Sequence, residues 1–450
     1  MKVMLNKFRT ENAILYTIKF LLKIAFGYAV SPTLESLSED YVTIQVEGIK
    51  IKFKLCSQEK LVNLIGGKAH MEQIASYDNH YNIPVIYENV SELYEYSNEY
   101  IQINYDIITL SFVLLSCYDE LTSEARDEFD RFRYKDSLVY KYNLINIPVV
   151  DEYAFLIRKI LKNEVQNFTP LVRSTILVPT HDIDNLYRFD GFFTSIKTLA
   201  GEAIRERRPL QLCSSILNML KTIVFKKEDQ YLKGIEQLYK DSKKYGLKSV
   251  FFFMTAKPSQ FDKGQAINQN VLNLMSKITD ADMLLGIHPG FNTFRDIAVM
   301  NDEIERLRNT SERDIILARQ HYLRFDRRIT FENLEKCGIK VDYTMGFADH
   351  EGFKCGTAHQ FHPYNFEKDQ PYNILEIPLI AMDATLTHYQ KYSMDKAFEV
   401  LENLFKITKR VEGDFIILWH NDRVFRDRKW YKMVYLRFIS QYNMKNRNLQ

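Results

Sequence analysis

Eight of the ten histidines fall between His181 and His420, and most of the apolar runs in that stretch end in reactive side chains. In chain order the ends are His181-Asp182-Ile183-Asp184, Thr255, His288, Arg319-Gln320-His321, Asp342, Asp383 and His420-Asn421. Carboxylates, imidazoles and a guanidinium are the groups that move protons and hold divalent cations, so together they could activate water against a polarised bond. A single polar residue after an apolar run is explained as readily by capping the next helix. Capping does not call for reactive types at the end of run after run.

The elements needed to bring these ends together are legible in the same stretch. Compact apolar runs at Thr175 to Thr180, Ser249 to Met254, Met283 to Ile287, Asp314 to Ala318, Ile339 to Met345, Ile374 to Ala381 and Asp414 to Trp419 alternate with segments of helical periodicity. Gly234 to Tyr245, Asp296 to Arg308 and Met394 to Val411 are such segments. Strands alternating with helices predict a parallel sheet, and in a (β/α) barrel of about seven strands all the strand C-termini open on one face. Residues 1 to about 170 read differently, as a helical opening followed by short β-like runs. Tyr41 to Leu55 alternates as a strand pair turning at Glu47-Gly48. The expectation is a smaller α+β domain over 1–170 and an α/β barrel over 171–450, with a boundary near Asn167 to Arg173.

Bulk properties narrow the function classes. The chain has 450 residues, 46% apolar and 26% charged, a composition able to bury a large interior. Lys and Arg number 60 against 58 Asp and Glu, so no overall field gathers nucleic acid. The five cysteines, Cys56, Cys117, Cys213, Cys337 and Cys355, form no CxxC pair, which argues against a cysteine-built zinc site and favours a reducing compartment. Ala13 to Val30 is apolar, but Lys19 and Lys23 interrupt it. Ile14, Leu15, Ile18, Leu21, Leu22 and Ala25 fall at helical spacing, as in a helix packed on the protein's own body rather than a signal peptide or transmembrane segment. A cytoplasmic location is the expectation.

Taken together, the strand-end residues resemble those of the polysaccharide deacetylase family, the NodB homology domain, over about Thr175 to Arg423. Thr180-His181-Asp182-Ile183-Asp184 resembles its paired-aspartate motif, which implies Asp182 as general base and Asp184 as metal ligand. His288-Pro289-Gly290-Phe291-Asn292 resembles the second motif with Asn292 where a second histidine usually stands, so His288 and Asn292 are candidate ligands. Arg319-Gln320-His321-Tyr322 resembles the third, implying that Arg319 orients the base and that His321 could supply a nitrogen in place of Asn292. Asp342-Tyr343-Thr344-Met345-Gly346-Phe347 is the looser fourth, and Ile416-Ile417-Leu418-Trp419-His420-Asn421 matches the fifth, implying His420 as general acid.

The resemblance implies a distorted, NodB-like barrel that holds a divalent ion, with zinc first and cobalt, nickel or manganese as alternatives. It also implies removal of an acetyl group from an N-acetylated sugar in a polysaccharide or glycan precursor. Asp342 and Tyr343 are expected near the substrate. So are Phe353, Phe361 and Tyr364, in the Gly352 to Phe366 loop, as stacking faces for a sugar. His359 and His362 share that loop without a helix to fix their geometry, so a structural or substrate-loop role is read for them. Rival readings on the same scaffold are an O-acetyl esterase and a non-catalytic carbohydrate-binding protein. Phe112 to Glu120, Asp130-Arg131-Phe132 and Ile147 to Glu152 resemble the domain that precedes this branch of deacetylases, read as a scaffold or partner surface.

Overall fold

The computed structural model describes residues 6–189, 199, 216, 219, 220, 222 and 229–447; Cys213 lies outside these. The first helix, Glu11–Phe26, begins at Thr10, whose hydroxyl accepts the Ala13 N–H, and stops at Gly27 in the left-handed conformation (φ 81°). Its apolar side chains are buried on more than one face, because it is covered by the helices Ile107–Leu115 and Val149–Glu164 on one side and by the second half of the chain on another. Among the described residues no helix is long and apolar enough to cross a membrane.

A five-stranded sheet follows: β1 (Thr33–Leu37), β2 (Tyr41–Val46), β3 (Ile49–Lys54), β6 (Tyr94–Tyr96) and β7 (Ile101–Ile103), in the order β1-β2-β3-β7-β6. The strand pair expected over Tyr41 to Leu55 is the β2–β3 hairpin. Glu47 and Gly48 turn it with φ of 46° and 78°, the positive values a two-residue hairpin turn needs. Strands β4 (Met71–Ala75) and β5 (Asn82–Ile86) form a separate antiparallel pair.

From residue 177 the chain builds a parallel sheet. Its strands are β8 (Leu177–Ile183), β9 (Val250–Phe253), β10 (Leu284–Ile287), β11 (Leu317–Ala318) and β12 (Val341–Asp342). A short hairpin of β13 (Tyr364–Asn365) and β14 (Gln370–Pro371) intervenes, then β15 (Leu375–Glu376), β16 (Ala381–Met382) and β17 (Phe415–Leu418). The order is β15-β12-β11-β10-β9-β8-β17-β16, eight strands among the described residues rather than the seven expected. The difference comes from Ile374 to Ala381, expected as one strand. Pro378 has no N–H to give a ladder, and the run divides into β15 and β16, the two edges of the sheet. Leu379 and Ile380 bridge the edges by donating to the Met345 and Ile416 carbonyls at 2.9 and 3.1 Å. Strands such as Val-Phe-Phe-Phe at β9 are buried throughout, as parallel strands with side chains on the inside and helices outside require. The expected helices are present as Gln230–Lys244, Ile297–Ser311 and Met394–Arg410, each capped by a side chain (Asp229, Asp296, Ser393) accepting first-turn N–H groups.

One continuous core joins the two halves. The Gly352 to Phe366 loop carries much of the contact. Phe353 N–H donates to the Ile145 carbonyl at 2.8 Å, Thr357 and Ala358 donate to the Asp151 carboxylate at 2.5 and 2.7 Å, and Tyr364 packs against Tyr16 and Phe112 at 5.1 and 5.0 Å. Arg158 ties three elements: its guanidinium donates to the Ile24 and Ala25 carbonyls at the end of the first helix and pairs with Glu412 at 2.7 Å.

Candidate metal centre and active site

Strand alternation decides which side chains reach the barrel interior. On β8, Thr180 and Asp182 share one face and His181 and Ile183 the other. Both inner residues meet Arg319 of β11's end, whose Nη1 donates to Thr180 Oγ1 at 2.7 Å and to Asp182 Oδ1 at 3.1 Å. Arg319 is fully buried, and its Nε donates to the Tyr343 carbonyl at 3.0 Å, so the guanidinium is fixed before it orients Asp182. His181 points the other way, with Nδ1 2.9 Å from the Trp419 carbonyl and its ring 4.7 Å from Phe251. Burial lowers its pKa to about 4, so it is neutral at ordinary pH.

Asp184, His288 and His321 each present a ligand atom, all within 4.8 Å of one another. His288 Nδ1 lies 2.6 Å from the Arg319 carbonyl, and His321 Nδ1 lies 2.8 Å from Asp262 Oδ1. Burial pushes the Asp262 carboxyl up, but His321 and Ser259 outweigh it and hold it below the usual range, so it is an acceptor. Both Nδ1 atoms therefore carry hydrogen and both Nε2 atoms face the shared space. They stand 3.2 Å (His288) and 3.8 Å (His321) from the two oxygens of Asp184. His288 Nε2 and Asp184 Oδ1 are buried without a hydrogen-bond partner; with the His288 hydrogen on Nδ1, the two facing atoms are both acceptors. Burial raises the Asp184 carboxyl, but the facing His420, His321 and His288 rings outweigh it and hold it ionised well below the ordinary range. Two imidazoles with oriented rings, an ionised carboxylate and orphaned donor atoms fit a divalent ion held by three protein ligands, the arrangement that leaves a position open for chemistry.

Beside this group stands His420, after β17. Asp383, after β16, holds it at two points: Nδ1 lies 2.7 Å from Oδ1, and the backbone N–H donates to Oδ2 at 2.8 Å. Its Nε2 is 3.8 Å from Asp184 Oδ2. Burial would lower the pKa of this ring, but Asp383 and Asp184 raise it to about 10, leaving an imidazolium with a proton to give.

These groups sit in a cleft of about 400 Å³ whose aromatic walls are Phe129, Phe261, Tyr322 and Tyr389. Phe129 and Arg131, also on the wall, come from the first half of the chain. Arg131 pairs with Asp127 at 2.7 Å and donates to the Tyr389 hydroxyl at 2.8 Å and the Tyr322 carbonyl at 3.3 Å. Tyr322 and Leu323 have φ of 61° and 54°, a left-handed backbone that bulky residues rarely adopt and that costs roughly 1–3 kcal/mol each. This backbone turn places Tyr322 in the cleft immediately after His321.

Of the residues singled out from sequence, Asp182, Asp184, His288, Arg319, His321 and His420 are brought together. Asn292 is not among them; it is exposed on the turn after β10 while Phe291 beside it stacks on Phe261 at 4.0 Å. Asp342, Tyr343, Phe353 and Tyr364 do not line the cleft. Asp342 is fully buried, accepting from Thr344 at 2.6 Å, and burial raises its carboxyl to about 6 beside Glu376. Phe353, Phe361 and Tyr364 are buried where the two halves of the chain meet, so their rings are spent on packing. His359 Nε2 is 2.7 Å from the Val411 carbonyl and His362 Nδ1 3.0 Å from the Ile374 carbonyl, both away from the cleft. The sequence assigned no site role to Asp262 or to the cleft residues Phe129, Arg131, Phe261, Tyr322 and Tyr389, although Arg131 and Tyr322 stand in motifs it offered. Asp383 was visible as a strand-end residue, but nothing in the sequence linked it to His420.

Residues 2–166 match the model of a family of unknown function (DUF7033). No curated protein matches the chain. Among solved structures the chain is similar to one from Mycobacterium smegmatis, provisionally described as a polysaccharide deacetylase: 13% identity, TM-score 0.38, covering 61% of this chain and 88% of that one.

Proposed function

We propose that the chain is a metal-dependent hydrolase that removes an acetyl group from an N-acetylated sugar, in a polysaccharide or a glycan precursor. The observation that carries the reading is the convergence of Asp184, His288 and His321 with their ligand atoms turned inward and two of those atoms buried without partners. The resemblance of the strand-end motifs to the deacetylase family supports the choice of bond. A divalent cation held by those three residues would polarise the acetyl carbonyl and acidify a water molecule. Asp182, pinned by Arg319, is the base that takes the water's proton. His420, kept protonated by Asp383 and Asp184, delivers a proton to the leaving amine. The products are acetate and a free amino sugar, and the aromatic walls of the cleft provide faces for the sugar ring.

Acetate release from N-acetylated and O-acetylated saccharides, measured for wild type and the Asp182→Asn and His420→Ala variants, tests this. The expected result is release from N-acetyl substrates that falls by about 10²- to 10⁴-fold in each variant. Release from O-acetyl substrates alone would make the enzyme an esterase, and release from neither would favour a carbohydrate-binding protein.

A further inference from the structure

A second groove on the described surface is larger than the catalytic cleft. It has a volume of about 1030 Å³ and lies at the opposite, N-terminal end of the strands, beside Arg173 to Thr175 ahead of β8 and Glu412 ahead of β17. Its walls are the end of the helix Val149–Glu164 and the end of the helix Met394–Arg410. Seven of its lining residues are cationic (Arg158, Lys159, Lys162, Arg173, Lys406, Lys409, Arg410) and Glu412 is the single acid among them. The chain as a whole carries a formal charge of only +2, so this is a local concentration. The three arginines are engaged with Glu412, Asp414, Asp78 and Glu152. Among the described residues no carboxylate pairs with Lys159, Lys162, Lys406 or Lys409, and the last three are exposed.

A second feature adjoins the first. Val172 lines the groove and is 76% exposed; its chain neighbour Leu171 is 60% exposed and Tyr28 40% exposed. The three form one rim, because the Leu171 N–H donates to the Phe26 carbonyl at 2.8 Å and Tyr28 packs edge-on to Phe26 at 5.8 Å. Large apolar side chains projecting into water beside exposed lysines suit a surface with negative charge outside and hydrocarbon beneath, where each cation and each inserted side chain adds to binding. A soluble polyanion would use the lysines and leave Leu171 and Val172 without a role.

We infer that the groove and its Tyr28–Leu171–Val172 rim dock the protein on an anionic lipid bilayer. The docked molecule then points its catalytic cleft away from the bilayer, since cleft and groove lie at opposite ends of the strands, and it takes its substrate from the aqueous side.

Co-sedimentation of the full chain with phosphatidylcholine vesicles, and with phosphatidylcholine vesicles containing phosphatidylglycerol, tests the inference. Binding to the anionic vesicles that weakens with salt is expected. A Lys406→Glu/Lys409→Glu variant and, separately, a Leu171→Asp/Val172→Asp variant should each weaken it by about tenfold or more. All four positions are at the surface, and unchanged melting curves will show that the variants fold. Absence of binding, equal binding to neutral vesicles, or unaltered binding by either variant would overturn the inference. So would binding that survives Leu171→Asp/Val172→Asp but is competed away by inorganic polyphosphate, which would identify a soluble polyanion as the ligand.

Discussion

At the scale of single residues, the metal centre depends on how ring orientation is fixed. His321 is a ligand candidate because Asp262 takes its Nδ1 hydrogen, and His288 because the Arg319 carbonyl takes its own. Asp262→Ala should therefore weaken metal binding by about 10- to 100-fold, measured by competition with a chromophoric chelator, whereas Asn292→Ala should leave it unchanged. If Asn292→Ala lost the metal and Asp262→Ala kept it, the ligand set would have to be redrawn. Asp182, Asp184 and His420 were readable in the sequence because each follows an apolar run and carries a type suited to chemistry. The choice between Asn292 and His321 was not readable, since it depends on the turn at Gly290 to Asp296, which Phe291 anchors on Phe261. Asp262 was invisible for a related reason: it lies in the loop between β9 and the helix Gln269–Thr279, where no periodicity marks position.

Among the elements, the strands and helices of the second half follow from hydrophobic pattern, and the exceptions have local causes. Pro378 divides a run that reads as one strand. The Gly352 to Phe366 loop has the aromatic composition of a sugar-binding surface, yet packing against Tyr16 and Phe112 buries it; composition reports what a ring can do, and only the fold says what it meets. The Arg158–Glu412 pair shows how elements are tied. Both side chains are nearly buried, and Arg158 closes the first helix as well. Glu412→Ala leaves that guanidinium without its counter-charge and should cost about 3 kcal/mol in chemical denaturation. A loss below about 1 kcal/mol would mean that the two backbone carbonyls suffice to hold Arg158.

For the molecule as a whole, the two halves, expected as closely packed domains, share a core and a cleft. Phe129 and Arg131 reach the cleft from the first half, so that half is a wall of the site as well as a scaffold. The junction carries a pH dependence. Asp151 receives the Thr357 hydroxyl and the Ala358 N–H, but burial dominates and raises its carboxyl to about 8. A carboxyl raised in the folded state contributes stability that is present below its unfolded value near 4 and is lost as pH rises through about 8. Melting temperature should fall between about pH 5 and 8, and Asp151→Asn should flatten that slope; an unchanged slope would place the titration elsewhere.

Whether Asp184, His288 and His321 hold a catalytic cation can be read from elemental analysis of the purified protein beside its Asp184→Ala and His288→Ala variants. About one divalent ion per chain is expected in wild type, with loss of that ion in both variants. A wild-type protein that stays metal-free after incubation with zinc, cobalt, nickel and manganese would contradict that expectation.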